Sequence, residues 1–353
     1  MHLNLEPKPI LSVCLNAAWQ KTLTFSKVTS GAVNRARESH DAGGGKGVNV
    51  ARVLRLLNFP VALASFTGGT TGDCLKAELR ANGVEDLTVP SQGRTRCCYT
   101  IIDETSGNAT ELIEPSAKIL PEEANAMRRM LLTQLPRFSA VALCGSLPPG
   151  VSSEIYADVV SMCRRLGIPA ILDAVADIGS TLEAGPSLVK INADELAQLT
   201  AVLDNSKQQT ANNRNSEQNT QTTDISGQGC HAKDIPSHAQ LLLARYPLVR
   251  WLAVTDGAAP AWLFQNGNTH WKFTMPAIQD IVSPIGGGDC ATAVMTRRFA
   301  ENCDECDMPQ AFAEALACAS ASCLTDTPSV FSPVQAQEIL SQITVSRLSS
   351  TLR

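Results

Sequence analysis

The chain has 353 residues, 44% of them hydrophobic and 18% charged, which is enough apolar content to bury a sizeable core. Its net charge of −5 excludes a global basic field for nucleic acid or anionic lipid, so any anionic ligand needs a local cluster of cations. No apolar run approaches the roughly 20 residues that span a bilayer, and residues 1–10 lack the apolar stretch of a signal peptide, so the expectation is a cytoplasmic protein with neither a membrane nor a nucleic-acid partner.

Apolar segments alternate with amphipathic ones along the chain. Strands are predicted at Ile10–Leu15, Val61–Phe66, Ser139–Cys144, Pro169–Asp173, Leu188–Ile191 and Arg250–Thr255. Between them, Val50, Val53, Leu54 and Leu57 repeat at helical spacing, as do Tyr156, Val159, Val160 and Cys163. Strands alternating with helices predict an α/β fold with a mostly parallel sheet covered on both faces. Ligands then bind beyond the carboxyl ends of the strands. Lys21–Ser26, Arg94–Asp103 and Ala109–Glu114 break the alternation with residues that favour strands. They predict a small β flap, or lid, built from about 17–42 and 94–115. Residues 204–234 are dominated by Asn, Gln, Ser and Thr and predict a disordered surface insertion. Cys14, Cys144, Cys163 and Cys318 sit in apolar segments and read as reduced, buried thiols. The Cys303–Cys306 pair lies in an acidic turn without a second pair at metal-ligand spacing, and reads as an exposed turn.

Two glycine clusters carry chemistry. Gly286, Gly287 and Gly288 precede Asp289 and then a helical pattern. Glycines permit a tight turn and close approach of the backbone to a ligand. The helix N-terminus behind them offers unpaired N–H groups and a positive dipole end to an anion such as phosphate. Asp289 is placed to take a proton from an attacking hydroxyl, a role that suits a carboxylate better than holding phosphate. A plain Asp cap on a glycine turn is the bland alternative. The second cluster, Gly43 to Gly45 and Gly47, opens another helix. There Lys46 adds a cation, and Asn49 could hydrogen-bond a hydroxyl.

Taken with three further segments, these clusters make the sequence resemble the PfkB carbohydrate kinases of the ribokinase-like superfamily. Gly44–Arg52 resembles the N-terminal signature of that family and Ile285–Asp289 its C-terminal signature. Gly145–Gly150, Lys190–Glu195 and Thr255–Gly257 are similar to family segments and fall in family order between them. The resemblance runs from about Leu11 to Val330, apart from the insertion, and implies one ribokinase-like kinase domain over residues 1–353. Gly31–Arg35, Thr95-Arg96, Thr110–Glu114 and Ser283-Pro284 are similar to stretches in 1-phosphofructokinase and tagatose-6-phosphate kinase.

The resemblance implies transfer of the γ-phosphoryl group of ATP, with Mg²⁺, to a hydroxyl of a sugar that already carries a phosphate. Asp289 would be the base, and the amides of Gly286 to Gly288 an anion hole. Lys190, Asn192, Glu195, Thr255 and Gly257 would serve the nucleotide, with Asn192 and Glu195 organising the metal through water. Gln20, Gly44, Gly45, Lys46, Asn49, Arg96 and Ser146 would face the acceptor. Arg35 is a further candidate cation, and pairing through the flap would give a homodimer. The pattern departs at Gln20, where the family carries Asp, at Cys97, where Asn is common, and at Ile191, where Pro is. Trp19 reads as core rather than as a sugar platform. Two other readings fit the residues: a kinase for an unphosphorylated sugar or a nucleoside, and a sugar-phosphate sensor without turnover.

Overall fold

The structure is a computed structural model that describes residues 7–201, 235–267, 269–283, 285–301, 307–325 and 327–349. The 204–234 insertion, the Cys303–Cys306 pair and Pro284 therefore lie outside the described residues. In chain order the first half runs β1 (Ile10–Val13), β2 (Ala18–Phe25), β3 (Glu38–Gly44), α1 (Lys46–Leu56), β4 (Val61–Ala64), β5 (Phe66–Thr67), α2 (Gly69–Ala81), β6 (Glu85–Asp86), β7 (Val89–Pro90), β8 (Arg96–Asp103) and β9 (Asn108–Ile113). Then follow α3 (Pro121–Gln134), β10 (Ala140–Cys144), α4 (Glu154–Leu166), β11 (Ala170–Asp173), α5 (Gly179–Ala184) and β12 (Leu188–Asn192). A helix over residues 193–201, α6, follows directly. The chain closes with α7 (Ile235–Arg245), β13 (Trp251–Asp256), β14 (Ala259–Gln265), β15 (Thr269–Thr274), α8 (Gly287–Glu301), α9 (Met308–Ser322), α10 (Pro333–Leu340) and β16 (Thr344–Ser349).

Ten strands form the main sheet, in the order β16-β15-β14-β13-β12-β11-β10-β1-β4-β6. From β6 to β13 all neighbours are parallel, and β14, β15 and β16 add antiparallel strands at one end. Every residue of β1, β4, β10 and β11 is buried. This is why these strands read as unbroken apolar runs: helices cover both faces. Successive side chains alternate between two cores. Leu11, Val13, Val141, Leu143 and Leu172 enter one, while Ile10, Ala140, Ala142 and Cys144 pack with Val50, Val53 and Leu54 of α1 in the other.

The segments outside the alternation form a separate four-stranded sheet, in the order β3-β2-β8-β9. Its strand β3 departs from expectation. The Gly43–Gly45 stretch was expected to be a loop leading into α1. Instead β3 pairs with β2 from Thr24↔Glu38 to Ala18↔Gly44. Pairing in a ladder overrides the poor strand propensity of glycine. The turn into α1 is then made by one residue, Gly45, at φ 110°, a conformation that suits only glycine.

Candidate active site

The carboxyl ends of β1, β10, β11, β12 and β13 converge, and the chemistry-bearing residues follow them. Asp173 ends β11, Asn192 ends β12 and Thr255 lies beside Asn192 in register on β13. Gly145 and Ser146 follow β10, and Gly257 turns the chain after β13 at φ 53°.

The glycine turn closes against this edge from α8. Gly286 holds φ 86°, and a Cβ there would collide with Ser329. A Cβ on Gly288 would lie 2.8 Å from Lys190 Nζ, so a bare backbone is what lets that ammonium approach. The first amide of this turn to bond back is Cys290 N, to Gly286 O at 3.0 Å. The amides of Gly287, Gly288 and Asp289 precede it, with no helical acceptor to reach, as at any helix start. Asp289 itself is only 7% exposed. Its Oδ2 accepts from Asn49 Nδ2 at 2.7 Å. Burial, and next the charge of Asp173, push its pKa up to about 6. The Asn49 hydrogen bond and the charges of Lys190 and Lys46 oppose that rise.

Asp173 is the hub beside it. This carboxylate is fully buried. It pairs with Lys46 Nζ at 2.8 Å and Lys190 Nζ at 3.2 Å, and accepts from Thr292 Oγ1 at 2.6 Å. Burial pushes its pKa up, but Lys190, Lys46 and the Thr292 hydroxyl outweigh that and hold the carboxyl at about 2. The charged form therefore prevails across the physiological range. Lys46 also lies 3.6 Å from Glu195 Oε1. Burial works against its charge, yet Asp173 and Glu195 raise its pKa above the ordinary lysine value. Asn192 and Glu195 bond reciprocally, Asn192 N to Glu195 Oε2 and Glu195 N to Asn192 Oδ1, both at 2.8 Å. This is a capping box that opens α6 and fixes both side chains.

On the other side Asn16 ties two expected residues together. Its backbone oxygen accepts from Arg96 Nη2 at 3.1 Å, and its Nδ2 donates to Ser146 Oγ at 3.0 Å. Arg96 Nε is buried and has no hydrogen-bond partner among the described residues. An orphaned buried donor is rare in native proteins and marks a place for an acceptor. Gln20 Nε2 donates to the buried Thr100 Oγ1 at 2.9 Å. A cavity of about 580 Å³ runs along β3, lined among others by Gln20, Gly43, Asn49, Arg52, Thr327 and Pro328. Such a volume suits a small ligand. Gly44 closes on Gln20, leaving a Cβ only 2.9 Å from Gln20 Oε1.

The structure thus brings Asp289, Asn49, Lys46, Lys190 and Glu195 into one network. Lys46, expected to face the acceptor, shares its partners with the expected nucleotide residues. Arg35 is exposed. Trp19 packs against the core around α1 and donates to Asp41 Oδ2 at 3.2 Å. Three participants were not foreseen. Asp173 had only been read as a strand end, and Thr292 and Arg52 only as members of helical motifs. The available signal for Asp173 was its place at the carboxyl end of a parallel strand.

The architecture is that of a ribokinase-like kinase. Phosphofructokinase-2 from Escherichia coli, solved with fructose-6-phosphate, superposes with a TM-score of 0.76 at 22% identity, covering 95% of this chain and 98% of that one. A possible 1-phosphofructokinase from Thermotoga maritima gives 0.76 at 20% identity, covering 96% and 99%. A carbohydrate kinase from Agrobacterium tumefaciens gives 0.69 at 17%, covering 97% and 100%. The sequence narrows this further. Residues 13–334 match the pfkB family of carbohydrate kinases, and the chain belongs to that family. It is a carbohydrate kinase. Among the described residues no helix is long and apolar enough to cross a membrane.

Proposed function

We propose that the protein transfers the γ-phosphoryl group of ATP to a hydroxyl of a phosphorylated hexose, in the manner of a 1-phosphofructokinase or a tagatose-6-phosphate kinase. The observation that carries this reading is Asp289. It is a buried carboxylate with a pKa near 6, held by Asn49 in the first turn of α8. A base with that pKa is ionised at neutral pH and still able to take a proton as an alcohol attacks.

The residues present fit a nucleotide and Mg²⁺. The N-terminal amides of α8 are an anion site by geometry, and Lys190 approaches them closely. ATP supplies the phosphoryl group. Gly287 and Gly288 amides would receive charge developing on it and Lys190 would help neutralise it, with Asp173 holding that cation in place. Positioning and electrostatics of this kind carry most of the acceleration in phosphoryl transfer. Thr255 and Gly257 would line the nucleotide beside Asn192. No described group of three or more His, Cys, Asp or Glu residues could hold an ion directly. Asn192 and Glu195 offer oxygen donors fixed by their reciprocal bonds, and would reach Mg²⁺, which keeps its waters and takes phosphate oxygens, through water.

For the acceptor, Arg96 is the cation with a donor to spare, and Ser146 sits beside it through Asn16. These groups support a phosphate on the sugar. Gln20, Gly44, Gly45 and Asn49 would meet its hydroxyls. The four-stranded sheet would act as a flap over them. Its edge strand β9 leaves Leu112 and Ile113 55% and 59% exposed, which favours pairing of two copies through this sheet. One observation favours an unphosphorylated acceptor instead: the charge of Lys46 is already matched by Asp173 and Glu195. ADP release with MgATP over a panel of free and phosphorylated hexoses tests the proposal. Turnover with fructose 1-phosphate or tagatose 6-phosphate is expected, and turnover with free sugars alone would refute it.

A further inference from the structure

Three elements meet behind Asn49. Arg52, one turn further along α1, donates through Nη1 to Asn49 Oδ1 at 2.7 Å. Its Nη2 donates to Gly43 O at 2.8 Å and to Glu78 Oε1 of α2 at 3.0 Å. The second Glu78 oxygen accepts from Gly43 N. One ion pair therefore holds both backbone groups of Gly43, at the end of β3. The bare backbone of Gly43 favours this close approach, since a Cβ would lie 2.6 Å from Leu75 Cδ1 and 3.2 Å from Glu78 Oε2. The pair is mostly shielded, with Arg52 18% and Glu78 21% exposed.

The chemistry of an amide gives this arrangement a consequence. Asn49 has a donor end and an acceptor end. Only the donor end can bond an ionised Asp289. The reverse orientation would set two oxygens together and require a proton between them. Arg52 has donors only, so it can bond only the oxygen of Asn49. It thereby selects the orientation that keeps the NH₂ group on Asp289. The planar guanidinium makes all three bonds at once, which a lysine cannot reproduce.

We infer that Arg52 and Glu78 are positioning residues for Asp289: they orient the Asn49 amide against it and couple that orientation to the seating of β3 on α2. The inference rests on the proposed role of Asp289 for its catalytic meaning, but not for its geometry. Asp289 faces Asn49 and Lys46 from α1, Asp173 from β11, Lys190 from β12, and the thiols of Cys14, just past β1, and Cys144, the last residue of β10. Of these only Asn49 is bonded to Arg52.

The test is a carboxyl carbon-13 NMR titration of the full chain, with the Asp289 signal assigned by its loss in Asp289→Asn. In Arg52→Met the Asp289 midpoint is expected to rise by about one pH unit, because the charged form loses its oriented donor. Arg52→Lys should recover part of the shift. In an Asn49→Ala background, Arg52→Met should add nothing further. An unshifted midpoint in folded Arg52→Met, or the same shift without Asn49, would overturn the inference. Should Arg52→Met not fold, Arg52→Lys and Glu78→Gln carry the test. Both should shift the midpoint upward by less, and no shift in either overturns it. Turnover by Asp289→Asn would instead remove only the base role and leave the titration result standing.

Discussion

In the ten-stranded sheet β1, β4, β10 and β11 are buried at every residue, whereas β9 of the four-stranded sheet is exposed along its whole length. The groups proposed to serve transfer of the phosphoryl group come from the first sheet and from α1 and α8, which pack on it. They are cross-linked by Asp173, which gathers partners from α1, β12 and α8. The second sheet brings Arg96 and Gln20, each with few bonds. The first sheet thus holds charge in a bonded cluster, and the second, more exposed sheet is the one proposed to form the flap on the acceptor side. Low burial is what allows a segment to open and close at small cost.

The sharpest way to break this contrast is at Asp173. Asp173→Asn leaves Lys46 and Lys190 without their shared anion, and a stranded buried charge costs on the order of 3–5 kcal/mol. Urea unfolding should show that loss at pH 7. The wild-type carboxyl has its folded pKa depressed to about 2. Its stabilisation is therefore full above the unfolded pKa near 4 and is lost as pH falls toward 2. The difference between wild type and Asp173→Asn should shrink over that interval.

Packing gives the next effect. Leu143→Ala removes a fully buried side chain of β10, and should cost about 2–5 kcal/mol in the same assay. Arg96→Ala tests the second sheet. KM for the phosphorylated hexose should rise about tenfold or more with kcat little changed, the sign of lost uniform binding. Leu112→Ala, on the exposed β9, should change monomer stability by no more than about 0.5 kcal/mol. A large loss there at low protein concentration would mean that the second sheet is packed as tightly as the first.

The same contrast explains what could be read from residues alone. Strands buried on both faces write their burial as continuous apolar runs, so all six strands predicted for the main sheet were found within two residues of their expected bounds. β3 left no such trace, because Gly43 and Gly44 are fixed by neighbours and not by strand preference. The two glycine signatures led to Asp289, Asn49 and Lys46 because short motifs keep their order in the chain. Asp173 was hidden, since its partners Lys46 and Thr292 are 127 and 119 residues away. Glu78 belongs to none of the sequence motifs, and only the packing of α2 against β3 gives it partners. The direction of Lys46 was likewise decided by Asp173, which no local pattern announced.

The central claim is that Asp289 removes the acceptor proton. Steady-state phosphoryl transfer by Asp289→Asn, followed from pH 5 to 8 with MgATP and the best phosphorylated hexose, tests it directly. In wild type, kcat/KM should climb as pH rises through about 6, where this carboxyl ionises. Asp289→Asn should lose roughly 10²–10⁴-fold in kcat and lose that limb, while staying folded. A variant that turns over at the wild-type rate, with the same rise through pH 6, would contradict the account.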